Sequence, residues 1–390
     1  VGSGFSRIFS RLEAGGGRRA ARSLPVERPA VSNRAKLTLA ELGWTEREQA
    51  LFDPHRAEGL LPGRVAVAYG ATFRIYVDSH ELLADVPGRM RHEARSRRDL
   101  PAVGDWVAIR QGSTHERATI RHILPRTSLF SRKVAGRETV EQILAANVAV
   151  AFLVAGLDHD FNLRRLERYL AMTWESGARP VIVLNKSDLA DDLDARVGEV
   201  KGIAYGTPVH PISSKFGRGL EELTPYLQPG GTVALLGSSG VGKSTLINRL
   251  LGHERQATRD VRAKDSRGRH TTAYRELVPL PGGALLIDTP GMRELQLWSA
   301  EDGVQETFDD IATLAADCYF RDCRHESEPR CAVKQAVDAG RMAPERLENY
   351  RKIQRELQYL ATRQDALALQ ARKKEDRTIH KALRKMPSKE

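Results

Sequence analysis

Gly237-Ser238-Ser239-Gly240-Val241-Gly242-Lys243-Ser244-Thr245 decides the fold. An apolar run, Val233 to Leu236, leads into it, and a helix-like segment, Leu246 to Leu251, follows. Gly237, Gly242, Lys243 and Ser244 fill the pattern G-x-x-x-x-G-K-[ST] in the strand–loop–helix setting that a Walker A loop requires. The glycines let backbone N–H groups turn inward on phosphate oxygens, and the helix N-terminus adds its positive dipole end. Lys243 is expected to reach the β- and γ-phosphates, and the Ser244 hydroxyl to ligate Mg²⁺.

Two further strand-end loops flank this one. Asn185-Lys186-Ser187-Asp188 ends the apolar run Val181 to Leu184, and Asp288-Thr289-Pro290-Gly291 ends the run Ala284 to Ile287. In an N-K-x-D loop the aspartate accepts from N1–H and the 2-amino group of guanine. Adenine offers neither donor and would leave the carboxylate unpaired, a strong form of discrimination. Ser213-Ser214-Lys215 follows Val209 to Ile212 and reads as a second guanine-side loop, a weaker signal because Ser-rich turns are common. Asp288 and Gly291 are expected at the phosphate end, with Asp288 beside Mg²⁺. The base loops precede the phosphate loop, the reverse of the ordinary GTPase order. A parallel sheet tolerates such a circular permutation because chain ends often lie close together at the surface.

The composition bounds the rest. With 390 residues, 41% of them hydrophobic, the chain has material for two or three domains with real cores. The longest apolar run, Ile143 to Leu157, is interrupted by Asn147 and reads as a loop followed by a core strand, so no transmembrane helix is expected. The net charge of +11 is uneven: residues 1–36, 61–140 and 341–390 carry +6, +6 and +7, which leaves −8 for the remainder. Basic flanks around an acidic centre suggest a polyanionic partner; solvated surface charge is the bland alternative. Three cysteines are an odd number and argue against a disulfide framework.

In chain order, residues 1–36 read as a basic, largely disordered lead. Its Phe5, Ile8, Phe9 and Leu12 at helical spacing also allow an organelle transit peptide. A helical lead-in over residues 37–60 ends at a break, Leu61-Pro62-Gly63. Period-two alternation then begins (Val65, Val67, Tyr69; Phe73, Ile75, Val77), and runs at Trp106 to Ile109 and Thr119 to Leu124 follow. Short strands between turn residues suggest a small barrel of the OB type, although an SH3-like barrel would share the pattern. Arg89, Arg91, Arg95, Arg97 and Arg98 read as a basic loop, either nucleic-acid-binding or solvated. Val148 to Val154 has the unbroken apolarity of a buried parallel strand, and Asn162 is placed to cap a helix running to Gly177.

The switch candidate is Gly268-Arg269-His270-Thr271-Thr272. One of Thr271 and Thr272 should close over Mg²⁺ and the γ-phosphate. Many GTPases place a water-orienting glutamine just after D-T-P-G; Met292 stands here and cannot hydrogen-bond water usefully. His270 is the best local candidate for holding the water, against a role as a plain loop or RNA contact. Further on, Cys318-x4-Cys323-x-His325-x5-Cys331 offers three thiolates and an imidazole, a set suited to a closed, structural Zn²⁺ site. Pro344 then opens a long helix with the stripe Leu347, Tyr350, Ile353, Leu357 and Leu360, and a basic tail follows.

Taken together, the permuted order, G-S-S-G-V-G-K-S-T, G-R-H-T-T, D-T-P-G and C-x4-C-x-H-x5-C resemble the small-ribosomal-subunit-dependent GTPase A family of bacteria. The resemblance covers about residues 37–385. It implies an α/β P-loop GTPase, circularly permuted and mainly parallel (141–300). An OB-type β-barrel with its lead-in (37–140) would precede it and a zinc-binding domain with a basic terminal helix (301–390) would follow. It also implies GTP hydrolysis stimulated by the small ribosomal subunit during late maturation, rRNA, GTP and GDP as partners, and a cytoplasmic monomer without membrane attachment. Carried over, Asn185, Lys186 and Asp188 read guanine, Gly237 to Thr245 hold phosphates and Mg²⁺, His270 is catalytic, and Cys318, Cys323, His325 and Cys331 bind zinc. Residues 1–36 have no counterpart, and Met292 departs from the bulkier, often aromatic residue usual there. A GTP-sensing rRNA-binding module with little hydrolysis and a small-molecule P-loop kinase are the competing readings; the N-K-S-D loop argues against the kinase.

Overall fold

The computed structural model describes residues 37–112, 117–133, 141–204, 206–254, 275–288 and 301–362. The lead, the switch candidate with His270, Thr271 and Thr272, the stretch holding Gly291 and Met292, and the tail after 362 lie outside the described residues.

The lead-in is a turn at 39–43 followed by α1 (Glu46–Arg56), shorter than the helix expected over 37–60. Thr45 and Glu48 form a reciprocal capping box that starts α1. β1 (Leu61–Tyr69) then includes Leu61-Pro62-Gly63, which corrects the break expected there. Pro62 lies at the strand's start, where a missing N–H is tolerated. A Cβ on Gly63 would come within 2.5 Å of Ile75 Cγ2, so glycine allows β1 to close on its neighbour.

Five strands make the barrel: β1, β2 (Thr72–Val77), β3 (His80–Asp85), β4 (Trp106–Gln111) and β5 (Arg117–Ile123). β1–β2, β2–β3, β4–β5 and β1–β4 are antiparallel, and β3–β5 is parallel. This closed five-stranded path is the OB arrangement and separates it from the SH3-like alternative. The alternating apolar residues fill its interior: Val65, Phe73, Ile75, Val107 and Ile120 are all buried. The arginines between β3 and β4 do not form a plain loop. α2 (Gly88–Glu93) and a 3₁₀ turn (Arg97–Asp99) order them, and all five remain solvent-exposed.

β6 (Leu129–Lys133) and β7 (Glu141–Ala146) form a hairpin, so Ile143–Ala146 is strand and not the expected loop. Next comes the nucleotide-type sheet: β8 (Val150–Gly156), β9 (Arg179–Asn185), β10 (Val209–Pro211), β11 (Thr232–Leu236), β12 (Glu276–Pro279) and β13 (Leu285–Asp288). Its order is β10-β9-β8-β11-β13-β12, parallel except for β12. α3 (Leu163–Ser176) has Asn162 as its N-cap and Gly177 in a left-handed C-cap, as the sequence implied. α4 (Leu193–Ala204) and α5 (Lys243–Leu251) complete this layer. β12 also pairs with β1 through Val67 and Glu276, so barrel and sheet are continuous.

The C-terminal part packs on α3. α6 (Glu301–Thr307), α7 (Asp309–Ala315), α8 (Ala332–Asp338) and a helix over 344–362 make it up. Gly303 lies so near α3 that a Cβ would sit 1.9 Å from the Ala171 carbonyl oxygen. The predicted stripe is largely buried at Leu347, Ile353, Leu357 and Leu360, while Tyr350 packs edge-on to Phe308. Among the described residues no helix is long and apolar enough to cross a membrane.

One buried arginine ties each flank to the sheet. Arg64 of β1 donates to the carbonyls of Leu42, Gly104 and Asn147 and, at 2.6 Å, to Thr232 Oγ1 at the start of β11. Arg346 of the 344–362 helix donates to Glu167 of α3, to both oxygens of Asp310 on α7 and to the Thr307 carbonyl.

Candidate nucleotide site and metal centre

The phosphate loop leaves β11 at Gly237 and enters α5 at Lys243. A Cβ at Gly237 would lie 2.3 Å from the Val154 carbonyl oxygen, and one at Gly242 would lie 2.2 Å from Asn185 Nδ2. Gly242 also holds φ +97° as the α5 N-cap. Both glycines are therefore steric requirements of this turn. Lys243 Nζ donates to the carbonyl oxygens of Gly237 and Ser238 at 2.6 and 2.5 Å, so it already lies across the loop. Ser244 and Thr245 are half-buried in the first turn of α5; Ser239 and Gly240 are exposed, and Val241 is buried beneath them.

Asn185 links the N-K-S-D, S-S-K and G-S-S-G-V-G-K-S-T loops. It is buried at the end of β9; its Nδ2 donates to the Val241 carbonyl (2.7 Å) and its Oδ1 accepts from the Ser214 backbone N–H (2.9 Å). Three loops thus meet on one amide. The Ser187 N–H donates to the Ile212 carbonyl (3.0 Å), which holds the N-K-S-D and S-S-K loops side by side. Asp188 is exposed, and its Oδ1 accepts from the Ser213 hydroxyl, which orients the carboxylate. Arg249 of α5 donates to the carbonyls of Ser214 and Lys215 (3.1 and 2.7 Å), fixing the S-S-K loop against the P-loop helix. Asp288 lies half-buried at the end of β13, on the other side of the P-loop.

Two residues escaped the motif reading. The loop after β8 carries Asp158 and Asp160. Asp158 Oδ2 accepts from Lys186 Nζ, and Asp160 accepts from the Ser238 hydroxyl and pairs with Arg165 at 2.9 Å. Burial opposes ionisation of Asp158, but the Lys186 hydrogen bond and the Asp160 N–H outweigh it and lower its pKa. The available signal was position: D-x-D just beyond the carboxyl end of a parallel strand, where open α/β sheets bind ligands.

Cys318, Cys323, His325 and Cys331 converge, with one ligand atom from each within 4.8 Å of the others. His325 Nδ1 lies 3.6 Å from Cys318 Sγ and 3.4 Å from Cys331 Sγ, and the two sulfurs are 3.9 Å apart. Zn–S bonds of about 2.3 Å and Zn–N bonds of about 2.0 Å in a tetrahedron require edges of roughly 3.5 to 3.8 Å. The donor set therefore fits zinc, with Nδ1 as the histidine ligand. His325 is buried and holds φ +59°, and Cys331 also caps α8. Burial raises the Cys318 thiol pKa, but the N–H groups of Val333 and Ala332 at the α8 start outweigh it, so the net direction is down.

Known proteins resemble this chain in sequence and in fold. A family model described as RsgA GTPase matches residues 123–298. The small ribosomal subunit biogenesis GTPase RsgA of Opitutus terrae is 47% identical over 357 residues, 89% of this chain and 97% of that protein. The protein of the same name from Syntrophotalea carbinolica is 45% identical over 352 residues, covering 88% and 96%. Among solved structures, YjeQ from Thermotoga maritima has a TM-score of 0.57 at 27% identity, covering 76% of this chain and 98% of that one. YloQ, described as a circularly permuted GTPase, has a TM-score of 0.54 at 26% identity, covering 77% and 95%. On the strength of identity across nearly its whole length, the chain belongs to the RsgA GTPase family.

Proposed function

We propose that the chain is a Mg²⁺-dependent GTPase that binds the small ribosomal subunit and acts in its late maturation. The observation that carries this reading is the Asn185 bracket, which joins a phosphate loop to two guanine-side loops. Asp188 reads N1–H and the 2-amino group of guanine, Lys186 flanks the base, and Asn185 holds the loops in register. Lys243 and the backbone N–H groups of residues 237–245 hold the phosphates. Ser244, Asp288 and one of Thr271 and Thr272 hold Mg²⁺, which when bound neutralises charge on the β- and γ-phosphate oxygens. Water attacks the γ-phosphorus and the bond to the β–γ bridging oxygen breaks; His270 positions that water.

The barrel (37–140), the zinc domain (301–390) and the basic tail dock on rRNA, and the subunit orders the switch around His270. The zinc folds the small domain and takes no part in the chemistry. The protein works as a cytoplasmic monomer. GTP turnover with and without small subunits, at low and moderate salt, tests the proposal. Strong stimulation by small but not large subunits is expected, with His270→Ala abolishing it. Tight GTP binding without stimulation would favour a sensing module, the reading that Met292 keeps open, and a preference for ATP would sink the assignment.

A further inference from the structure

β8 lies between β9 and β11 in the sheet, so the loop after it sits between the N-K-S-D loop and the P-loop. That loop reaches both neighbours within three residues. Asp158 Oδ2 accepts from Lys186 Nζ on the β9 side, and Asp160 Oδ2 accepts from the Ser238 hydroxyl on the β11 side. The loop is itself held in shape. Asp158 Oδ1 accepts from the Asp160 N–H (3.2 Å), the Phe161 N–H donates to the Asp158 carbonyl (3.0 Å), and Arg165 pairs with Asp160 at 2.9 Å. The Leu157 N–H donates to the Asn185 carbonyl (2.8 Å), which ties the two chains together just before Asp158 and Lys186.

Lys186 reaches Asp158 across the end of β8. A Cβ on Gly156 would lie 2.7 Å from Asp158 Oδ1 and 3.6 Å from Lys186 Cδ, so glycine at 156 leaves the room that the pair occupies. Lys186 also holds φ +64°, a backbone conformation uncommon for a residue with a Cβ and kept only where surrounding contacts define it.

We infer that Asp158 is the positioning residue for Lys186, and that the loop carrying it braces the N-K-S-D loop against the P-loop for guanine-nucleotide binding. The inference rests on the GTPase reading above. A lysine stem has many rotamers, and ordering it on binding opposes affinity. Anchored at Asp158, the Lys186 stem is already laid over the carboxyl end of the sheet, pointing from β9 toward the P-loop side. Open α/β sheets bind their ligands at that end. The anchor is secluded: the Lys186 and Asp158 side chains are 22% and 13% exposed, so solvent screens the pair less than a surface ion pair. Asn185 makes the inner link between the same two loops, through the Val241 carbonyl. Asp158 and Asp160 make the outer one. A nucleotide that spans both loops gains from both links, and the Lys186 arm serves GTP and GDP alike.

The experiment measures GTP and GDP affinity of the full chain in a double-mutant cycle: wild type, Asp158→Ala, Lys186→Met and the double variant. Asp158→Ala is expected to weaken both nucleotides about ten-fold, the size of coupling found between contacting residues. Asp158→Asn keeps an acceptor oxygen and should weaken them about three-fold or less. The KM for GTP should rise in the same proportion, with kcat at saturating GTP near wild type. In the Lys186→Met background Asp158→Ala should bring no further loss, because the side chain it positions is gone. Losses that multiply would overturn the inference, and so would unchanged affinity in Asp158→Ala, or a fall in kcat at constant KM. If Asp158→Ala lowers the melting temperature, Asp158→Asn, which retains an acceptor for the Asp160 N–H, carries the same cycle. A wild type that binds no guanine nucleotide would sink the functional reading and this inference together; a wild type that binds, with multiplying losses, would sink this inference alone.

Discussion

The two flanks of the nucleotide-type sheet are joined to it by the same side chain used in two ways. On the barrel side, every acceptor of Arg64 is neutral, and its guanidinium stacks over Trp106 at 5.0 Å. Burial therefore dominates: it pushes the Arg64 pKa down to about 10, and the more distant Glu48 and Asp105 only partly offset it. On the C-terminal side, burial again opposes the charge, but Asp310 and Glu167 are in direct contact and raise the Arg346 pKa. Asn349 completes the bonding of Glu167 at 2.5 Å. The barrel joint is a dipole joint that no lost partner turns into an unpaired carboxylate. The C-terminal joint is an ion network whose members depend on one another.

Four measurements would break or sharpen that contrast. The largest effect is expected from stripping zinc, because a structural site contributes folding energy on the order of 10 kcal/mol. Chelation should remove the exchange protection of residues 309–362 and leave that of the barrel intact; full protection without metal would show that the helices fold unaided. Next, Arg346→Met leaves Glu167 and Asp310 without their cation and should cost about 3–5 kcal/mol in urea unfolding. Arg64→Met leaves only neutral acceptors unsatisfied and should cost less, about 1–3 kcal/mol. Equal losses at the two positions would erase the distinction.

The smallest effect concerns pH. His122 stacks on His55 at 4.3 Å, and burial followed by the charge of His55 lowers its folded pKa. The unfolded chain then takes up a proton first as pH falls below about 6.5, so stability is lost in that direction. The melting temperature of the barrel should decline from pH 7 toward pH 5.5, and His122→Asn should flatten the decline. An unchanged slope would place the acid sensitivity elsewhere.

Local signals were legible in the sequence. The P-loop, the N-K-S-D and S-S-K loops, the Asn162-capped helix and the Cys₃His set each depend on residues a few positions apart, and each stands where the pattern put it. What stayed hidden depends on distant partners. Arg64 meets Thr232 across 168 residues and Arg346 meets Glu167 across 179, and no periodicity reports such pairs. Pro62-Gly63 signalled a break because the edge position that accommodates it is set by β4, 40 or more residues later. Asp158 and Asp160 complete no motif by local spacing, and Lys186 and Ser238 reach them only in the fold.

The permuted strand order has a consequence for synthesis. β8, β9 and β10 leave the ribosome before β11, and the barrel strand β1 precedes them all. The β12–β13 hairpin comes last and fills the slot between β11 and β1. Until residue 288 has emerged, β11 presents an open edge, the kind that invites pairing with other chains, while β1, already paired with β2 and β4, lacks only its contact at Val67. The hairpin is thus a keystone set between two halves already made, and the nascent chain closes its sheet only when the keystone arrives.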